Sequence, residues 1–195
     1  MKNSLKSQAY EYIRARITKC EYLPLSFLDA AQIARDLGSS RTPVRDALTQ
    51  LESEGLVKIT PRRGIMVADI PADELDSISK ARRLLEPYIV SVACGKADPE
   101  IMRQFRERFS TVASGREQIE AEYDFNLYLT GLTENQYIIQ TMERVYVSNF
   151  RVQTLGKMPT GSIDIILELI DCINAGDPAR ASSAVIRLIS EQGIY

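Results

Sequence analysis

Between Leu5 and Cys20 the apolar residues Leu5, Ala9, Tyr12-Ile13 and Ile17 recur every three to four positions, with Lys and Arg between them, which is the spacing of one helix face. Pro24 closes the loop that follows. Asp29 is placed to cap a short helix running through Leu37, and Gly38 stops it at the C′ position. Ser39 or Ser40 caps the next helix, and Pro43 falls in its first turn, where a missing N–H costs little. Val44, Ala47, Leu48 and Leu51 form that helix's apolar stripe, and Gly55 ends it. Leu56–Thr60 and Gly64–Val67 alternate or run apolar as short strands do, and Pro61-Arg-Arg-Gly64 is a tight turn between them. The order predicted is helix, turn, helix and a two-stranded wing.

From Pro71 onward turn signals thin out and helical periodicity dominates. Helices are predicted near 72–94, 98–113, 116–131, 135–155, 160–175 and 177–192. Asp98-Pro99 and Asp177-Pro178 are good starts, with Asp as cap and Pro at the first helical position, and Asn174-Ala-Gly176 is a good stop. The fold class expected is mostly α: a winged helix-turn-helix over 1–70 and an all-α helical bundle over 71–195, with the boundary near Ile70-Pro71.

Composition narrows the chemistry. The chain has no histidine, which removes the commonest general base and metal ligand and rules out Ser-His-Asp and Cys-His mechanisms. Cys20, Cys94 and Cys172 lie far apart without CxxC spacing and read as reduced cytosolic thiols with no activating partner. Glu122 and Asp124 are only two positions apart and need not converge, and no Gly-rich phosphate loop appears. No run long enough to span a membrane exists, and the first residues lack the apolar stretch of a secretory signal. A cytoplasmic non-enzyme without cofactor or metal is therefore expected. Residues 1–70 hold 11 Lys and Arg against 8 Asp and Glu, a net +3, whereas the remaining 13 against 18 leave −5. The basic head suggests an anionic partner for that half alone.

A helix-turn-helix sets its second helix in the major groove, with the N-terminal residues against base edges. Arg41 and Arg45 are four apart and face the same way, and arginine is well suited to bidentate hydrogen bonds with guanine O6 and N7. Ser40 and Thr42 sit where a helix N-terminus and a hydroxyl can hold a phosphate. Arg35 can reach the backbone or a base, and Arg62 and Arg63 on the turn can enter a minor groove. Taken singly, each feature is equally a plain helix cap or a surface arginine; taken in order, they point to double-stranded DNA.

The stretch Gln32-Ile-Ala-Arg-Asp-Leu-Gly-Ser-Ser-Arg-Thr-Pro-Val-Arg-Asp-Ala-Leu, with Leu51-Glu-Ser-Glu-Gly-Leu-Val and Pro61-Arg-Arg-Gly, closely resembles the winged helix-turn-helix of GntR-family bacterial transcription regulators. The resemblance implies DNA reading by Arg35, Arg41, Thr42, Arg45 and the wing Gly64; Asp46 stands where the family usually has Glu. The remainder resembles, less tightly, the FCD helical domain of the FadR subfamily, through Ala81-Arg-Arg-Leu-Leu-Glu-Pro87, Glu122-Tyr-Asp-Phe-Asn126 and Ala175-Gly-Asp-Pro178. Many members of that subfamily hold a divalent metal in the bundle with an Asp and three His. The matching positions here are Glu122, Asn126, Ile166 and Leu188, which lack the imidazoles a Zn²⁺ or Ni²⁺ site needs. Family members often run beyond Gly193-Ile-Tyr195, so the resemblance implies a short final helix or altered packing.

Two readings of the helical part follow. Ile166 and Leu188 are simply core, or they line an apolar effector cavity. In the second reading Arg82 and Arg83 are carboxylate partners at the mouth, and Tyr123, Asn126, Tyr128 and Arg151 are further contacts beside Glu122. The function expected is a sequence-specific, homodimeric transcription regulator, a repressor by preference, acting on a short palindromic operator with a small effector that is a carboxylate or partly apolar. The alternative is an effector-free DNA-binding dimer whose bundle is purely structural.

Overall fold

The computed structural model of the chain describes residues 4–113 and 115–192. It divides into two compact units, Met1–Ile70 and Pro71–Tyr195. Residues 193–195, which the sequence reading placed after the last helix, lie outside the described residues.

In the first unit α1 (Leu5–Thr18) precedes β1 (Phe27–Leu28), α2 (Ala30–Asp36), α3 (Arg41–Ser53), β2 (Val57–Thr60) and β3 (Gly64–Val67). Ile13 and Ile17 of α1, Ile33 of α2, and Val44, Ala47, Leu48 and Leu51 of α3 close the core with Val57 and Val67 of the sheet. Leu5, counted on the α1 stripe, is instead 53% exposed because it stands in the first turn, beyond the reach of that core. Asp29 accepts from the Ala31 N–H at 2.7 Å and starts α2. Ser40 occupies the N-cap position of α3, but its side chain makes no cap hydrogen bond.

The wing has three strands, not two, in the order β1-β3-β2 and all antiparallel. Phe27 lies opposite Met66, and Thr60 opposite Gly64, so three residues make the hairpin loop. The Arg63 N–H donates to the Thr60 carbonyl at 3.0 Å across that turn. Gly64 has φ +109°, a backbone conformation that favours glycine, and a Cβ there would only touch the Phe27 ring at 3.4 Å.

The second unit is helical among the described residues: α4 (Ala72–Lys96), α5 (Pro99–Thr111), α6 (Arg116–Gly131), α7 (Gln136–Thr154), α8 (Ile163–Asn174) and α9 (Pro178–Gln192). Asp98 caps α5 by accepting from Glu100 and Ile101 N–H groups, with Pro99 at the first helical position. α4 packs against α6, α7, α8 and α9, which makes it the spine of the bundle. α4 continues through Pro87, whose own carbonyl accepts from the Ser182 hydroxyl of α9 at 3.3 Å. The core gathers Phe109, Phe125, Met142, Tyr146, Ile166, Ile170 and Ile189, with edge-to-face contacts of Phe125 to Phe105 and Phe109.

Candidate nucleic-acid interface and buried polar cluster

α3 keeps its apolar stripe inward, so the positions between stripe residues point out. Arg41, Thr42 and Arg45 are all exposed, together with Ser40, whose hydroxyl the helix end leaves unused. Because Pro43 carries no N–H, the start of α3 offers three orphan backbone N–H groups, those of Ser40, Arg41 and Thr42, as an anion site, and the free hydroxyl adds to it. Arg45, Leu48 and Thr49 of α3 face Ile59, Thr60, Pro61, Arg62, Gly64 and Ile65 of the wing across a cleft of about 440 Å³. Helix tip and hairpin loop thus share one concave surface, with Arg45 and Arg62 on its two walls. Arg63 is exposed on the same loop but does not line the cleft. Among the described residues no carboxylate stands within salt-bridge distance of Arg41, Arg45, Arg62 or Arg63.

Arg62 has φ +64°, in the region where a non-glycine residue is strained by roughly 1–2 kcal/mol. Pro61 before it and positive φ at Arg62 are the type II pattern, in which glycine is the relaxed choice. Arg35 is exposed on α2 and is not free: its Nη2 donates to Gln32 Oε1 at 2.6 Å.

The residues expected around an effector separate in the second unit. Arg82, Glu122 and Arg151 are buried, Asn126 is half-buried, and Arg83 is exposed. Arg82 therefore does not stand at a mouth beside Arg83, because successive helical positions are about 100° apart and only one of the two can face the bundle interior. Ile166 and Leu188 pack within the apolar core. Tyr123 is half-buried with its ring edge-to-face on Phe150, and the Tyr128 hydroxyl accepts from the Asp98 N–H at 2.8 Å.

Arg82 and Glu122 belong to one closed hydrogen-bonded cluster. Arg82 Nε donates to Glu86 Oε1 at 2.6 Å, one turn along α4. Its Nη1 donates to Asn149 Oδ1 at 3.2 Å and to Gln192 Oε1 at 2.6 Å, reaching α7 and α9. Glu122 Oε1 accepts from Gln118 Nε2 and the Gly161 N–H, both at 2.9 Å. Glu122 Oε2 accepts from Gln192 Nε2 at 2.8 Å and Gln153 Nε2 at 3.3 Å. Asn149 Nδ2 donates to Gln153 Oε1 at 3.1 Å, which joins the two halves. Gly161 sits so close that a Cβ would fall 2.6 Å from Leu188 Cδ1 and 3.1 Å from Gln192 Nε2.

Burial works against the charge of Arg82, but the Glu86 carboxylate overcomes it and shifts the guanidinium upward. Burial pushes the Glu122 carboxyl up; the Gly161 N–H, Arg82 and the Gln153 and Gln118 amides pull it back without reversing the direction. The Tyr146 hydroxyl is raised well above its ordinary range by burial and by Glu86.

These donors do not fit the metal that the family resemblance implies. All four hydrogen bonds to Glu122 come from N–H groups, which occupy the lone pairs a cation needs. Ile166 and Leu188 have none to offer, and no group of three or more His, Cys, Asp or Glu suited to a metal occurs among the described residues. The sequence reading missed Glu86, Gln118, Asn149, Gln153 and Gln192. Their signal was the i, i+4 pairing of Arg82 with Glu86, Gln118 with Glu122 and Asn149 with Gln153 on otherwise apolar faces. No described helix is long and apolar enough to cross a membrane.

Comparison with known proteins supplies the family. Residues 5–67 match the model of the bacterial regulatory proteins of the gntR family, and residues 77–191 match the FCD domain. The uncharacterised HTH-type transcriptional regulator YdhC of Bacillus subtilis is 28% identical over 145 residues, 71% of this chain and 65% of that protein. The Nta operon transcriptional regulator of Aminobacter aminovorans is 28% identical over 130 residues, 64% of this chain and 61% of that one. The matched region thus spans less than two thirds of these relatives' lengths. In fold, the structure of Escherichia coli McbR/YncC superposes with TM-score 0.82 at 19% identity, covering 96% of this chain and 94% of that one. A GntR-type protein from Rhodococcus sp. RHA1 gives TM-score 0.75 at 19% identity over 95% and 94% of the two chains. With its winged helix-turn-helix followed by an FCD bundle, the chain belongs to the GntR family of bacterial regulatory proteins.

Proposed function

We propose that this protein is a sequence-specific DNA-binding transcription regulator. One observation carries the reading: Arg45 and Arg62 line one cleft from opposite walls, with Arg41 exposed at the adjoining helix tip and no carboxylate paired with any of the three. Unpaired guanidinium groups on two converging elements suit a duplex, whose major groove takes the helix and whose backbone or minor groove takes the wing. Ser40, Thr42 and Arg63 add phosphate contacts, and Gly64 keeps the hairpin tight. The protein acts as a homodimer through its helical unit on a short palindrome, repressing when bound. The test is retardation of a duplex selected by the protein from a randomised pool. Arg45→Ala weakens that binding by about 1–3 kcal/mol. Equal binding of wild type and variant to selected and random duplexes overturns the reading.

A small effector, a carboxylate or a partly apolar molecule, contacts Arg82, Glu122, Asn126, Arg151, Ile166 or Leu188 in one version of this function. The other version, a bundle that only dimerises, is favoured by the closure of the cluster: Arg82 and Glu122 already have partners inside the chain. Thermal shift against a panel of carboxylic and acyl compounds separates the two, because a ligand of the folded state raises the transition by mass action.

A further inference from the structure

Arg35 ends a chain of side-chain hydrogen bonds that begins at the half-buried Tyr12 of α1. The Tyr12 hydroxyl donates to Asp36 Oδ2 at 3.2 Å. Asp36 Oδ1 accepts from Gln32 Nε2 at 2.6 Å. Gln32 Oε1 accepts from Arg35 Nη2 at 2.6 Å. The Tyr12 ring is itself clamped, with the Arg16 guanidinium 3.5 Å from its centroid, and the Tyr22 hydroxyl stands beside it. Each link sets the next. The Asp36 carboxylate can only accept, so it draws the NH₂ end of the Gln32 amide toward itself. That leaves the amide carbonyl turned to Arg35, polarised by the carboxylate behind it. One Nη of the guanidinium is thereby tethered at the exposed surface, which narrows the orientations of the fork while leaving other N–H groups free. A cation that only neutralises phosphate needs no fixed plane; bidentate reading of a base edge does.

We propose that Tyr12, Asp36 and Gln32 are positioning residues that aim Arg35 at a base edge, and so help to set operator specificity. The inference rests on the DNA-binding reading above and adds residues whose role in it is indirect. The measurement uses the full chain and a duplex it selects from a randomised pool. Affinities of wild type, Gln32→Met, Asp36→Ala, Arg35→Ala and the Gln32→Met/Arg35→Ala double variant are compared on that duplex and on every single base-pair change within it.

Arg35→Ala is expected to lose roughly 5- to 150-fold and to become indifferent at one base pair of each half-site. Gln32→Met and Asp36→Ala are expected to lose roughly 2- to 10-fold, as an ordered side chain is released, with the loss confined to that same base pair. The salt dependence of binding stays unchanged in both, and the double variant binds no worse than Arg35→Ala alone. Tyr12→Phe, which keeps the ring packed, gives a smaller loss at the same position. Additive losses in the double variant, or a loss spread evenly over all sequences with a shallower salt slope, overturn the aiming role and leave the DNA-binding reading intact. An Arg35→Ala variant that binds and discriminates as wild type does also overturns it. Selection of no duplex at all overturns both.

Discussion

Arg45 and Arg82 are the same residue type put to opposite uses. Arg45 stands on the wall of an open cleft with no acid to pair with, while Arg82 is 2% exposed and donates to Glu86, Asn149 and Gln192. A charge left unpaired at a surface is inexpensive, because water solvates it, and remains available to a partner. A charge taken inside must be matched there, and once matched it has little left to offer a ligand. In this molecule the first unit holds charge in readiness, and the second spends its charge on holding four helices together.

The largest test of that contrast lies in the cluster. Arg82→Ala leaves the Glu86 carboxylate buried without its cation and should destabilise the helical unit by about 3–5 kcal/mol. Glu122→Ala, which strands four N–H donors, should act in the same range. Calorimetry of the full chain should show the helical transition falling. Pairing Arg82→Met with Glu86→Leu should recover part of the loss, since removing both charges is gentler than removing one. Arg45→Ala should do the reverse: unfolding unchanged within about 0.5 kcal/mol, and DNA affinity down by about 1–3 kcal/mol in a titration. A variant of either residue that moved both observables equally would erase the distinction.

Arg62 gives a finer version within one residue. Arg62→Gly relaxes the positive φ and should raise stability by less than about 1 kcal/mol, since glycine also loosens the unfolded chain. The same change removes a cation from the cleft wall, so binding should weaken and the salt slope should drop by about 1. Stability and affinity moving in opposite directions would show that the strain serves the side chain.

The elements of both units were legible because their periods are local. The stripe Val44, Ala47, Leu48, Leu51 is fully buried in α3, and the caps Asp29 and Asp98 bond as their positions imply. β1 was not legible, because two residues carry no alternation and Phe27–Leu28 become a strand only by meeting β3. The cluster was half legible. Its i, i+4 pairs lie in plain view, but Arg82 meets Gln192 across 110 positions and Glu122 meets it across 70, and no periodicity reports such meetings. Gly161 hid for the same reason: its φ is ordinary, and only the approach of Leu188 and Gln192 demands a missing side chain.

pH offers the smallest effect and separates the two kinds of charge most directly. Arg45 and Arg62 stand exposed on the cleft of the first unit. Glu122 does titrate, and burial raises its carboxyl above the ordinary value despite the N–H donors of Gln118, Gln153, Gln192 and Gly161 and the nearby Arg82. The folded chain then holds a proton at pH values where the unfolded chain has released it. The resulting stabilisation is complete below the unfolded pKa and is lost as pH rises through the folded one. Urea midpoints of the helical unit should therefore decline from roughly pH 4 upward until Glu122 has ionised. Glu122→Gln should flatten the decline while lowering stability throughout, because an NH₂ group would then face donors on one side. A midpoint that climbed with pH instead would mean that the four donors outweigh burial, and that the cluster is built around a carboxylate already ionised when the chain folds.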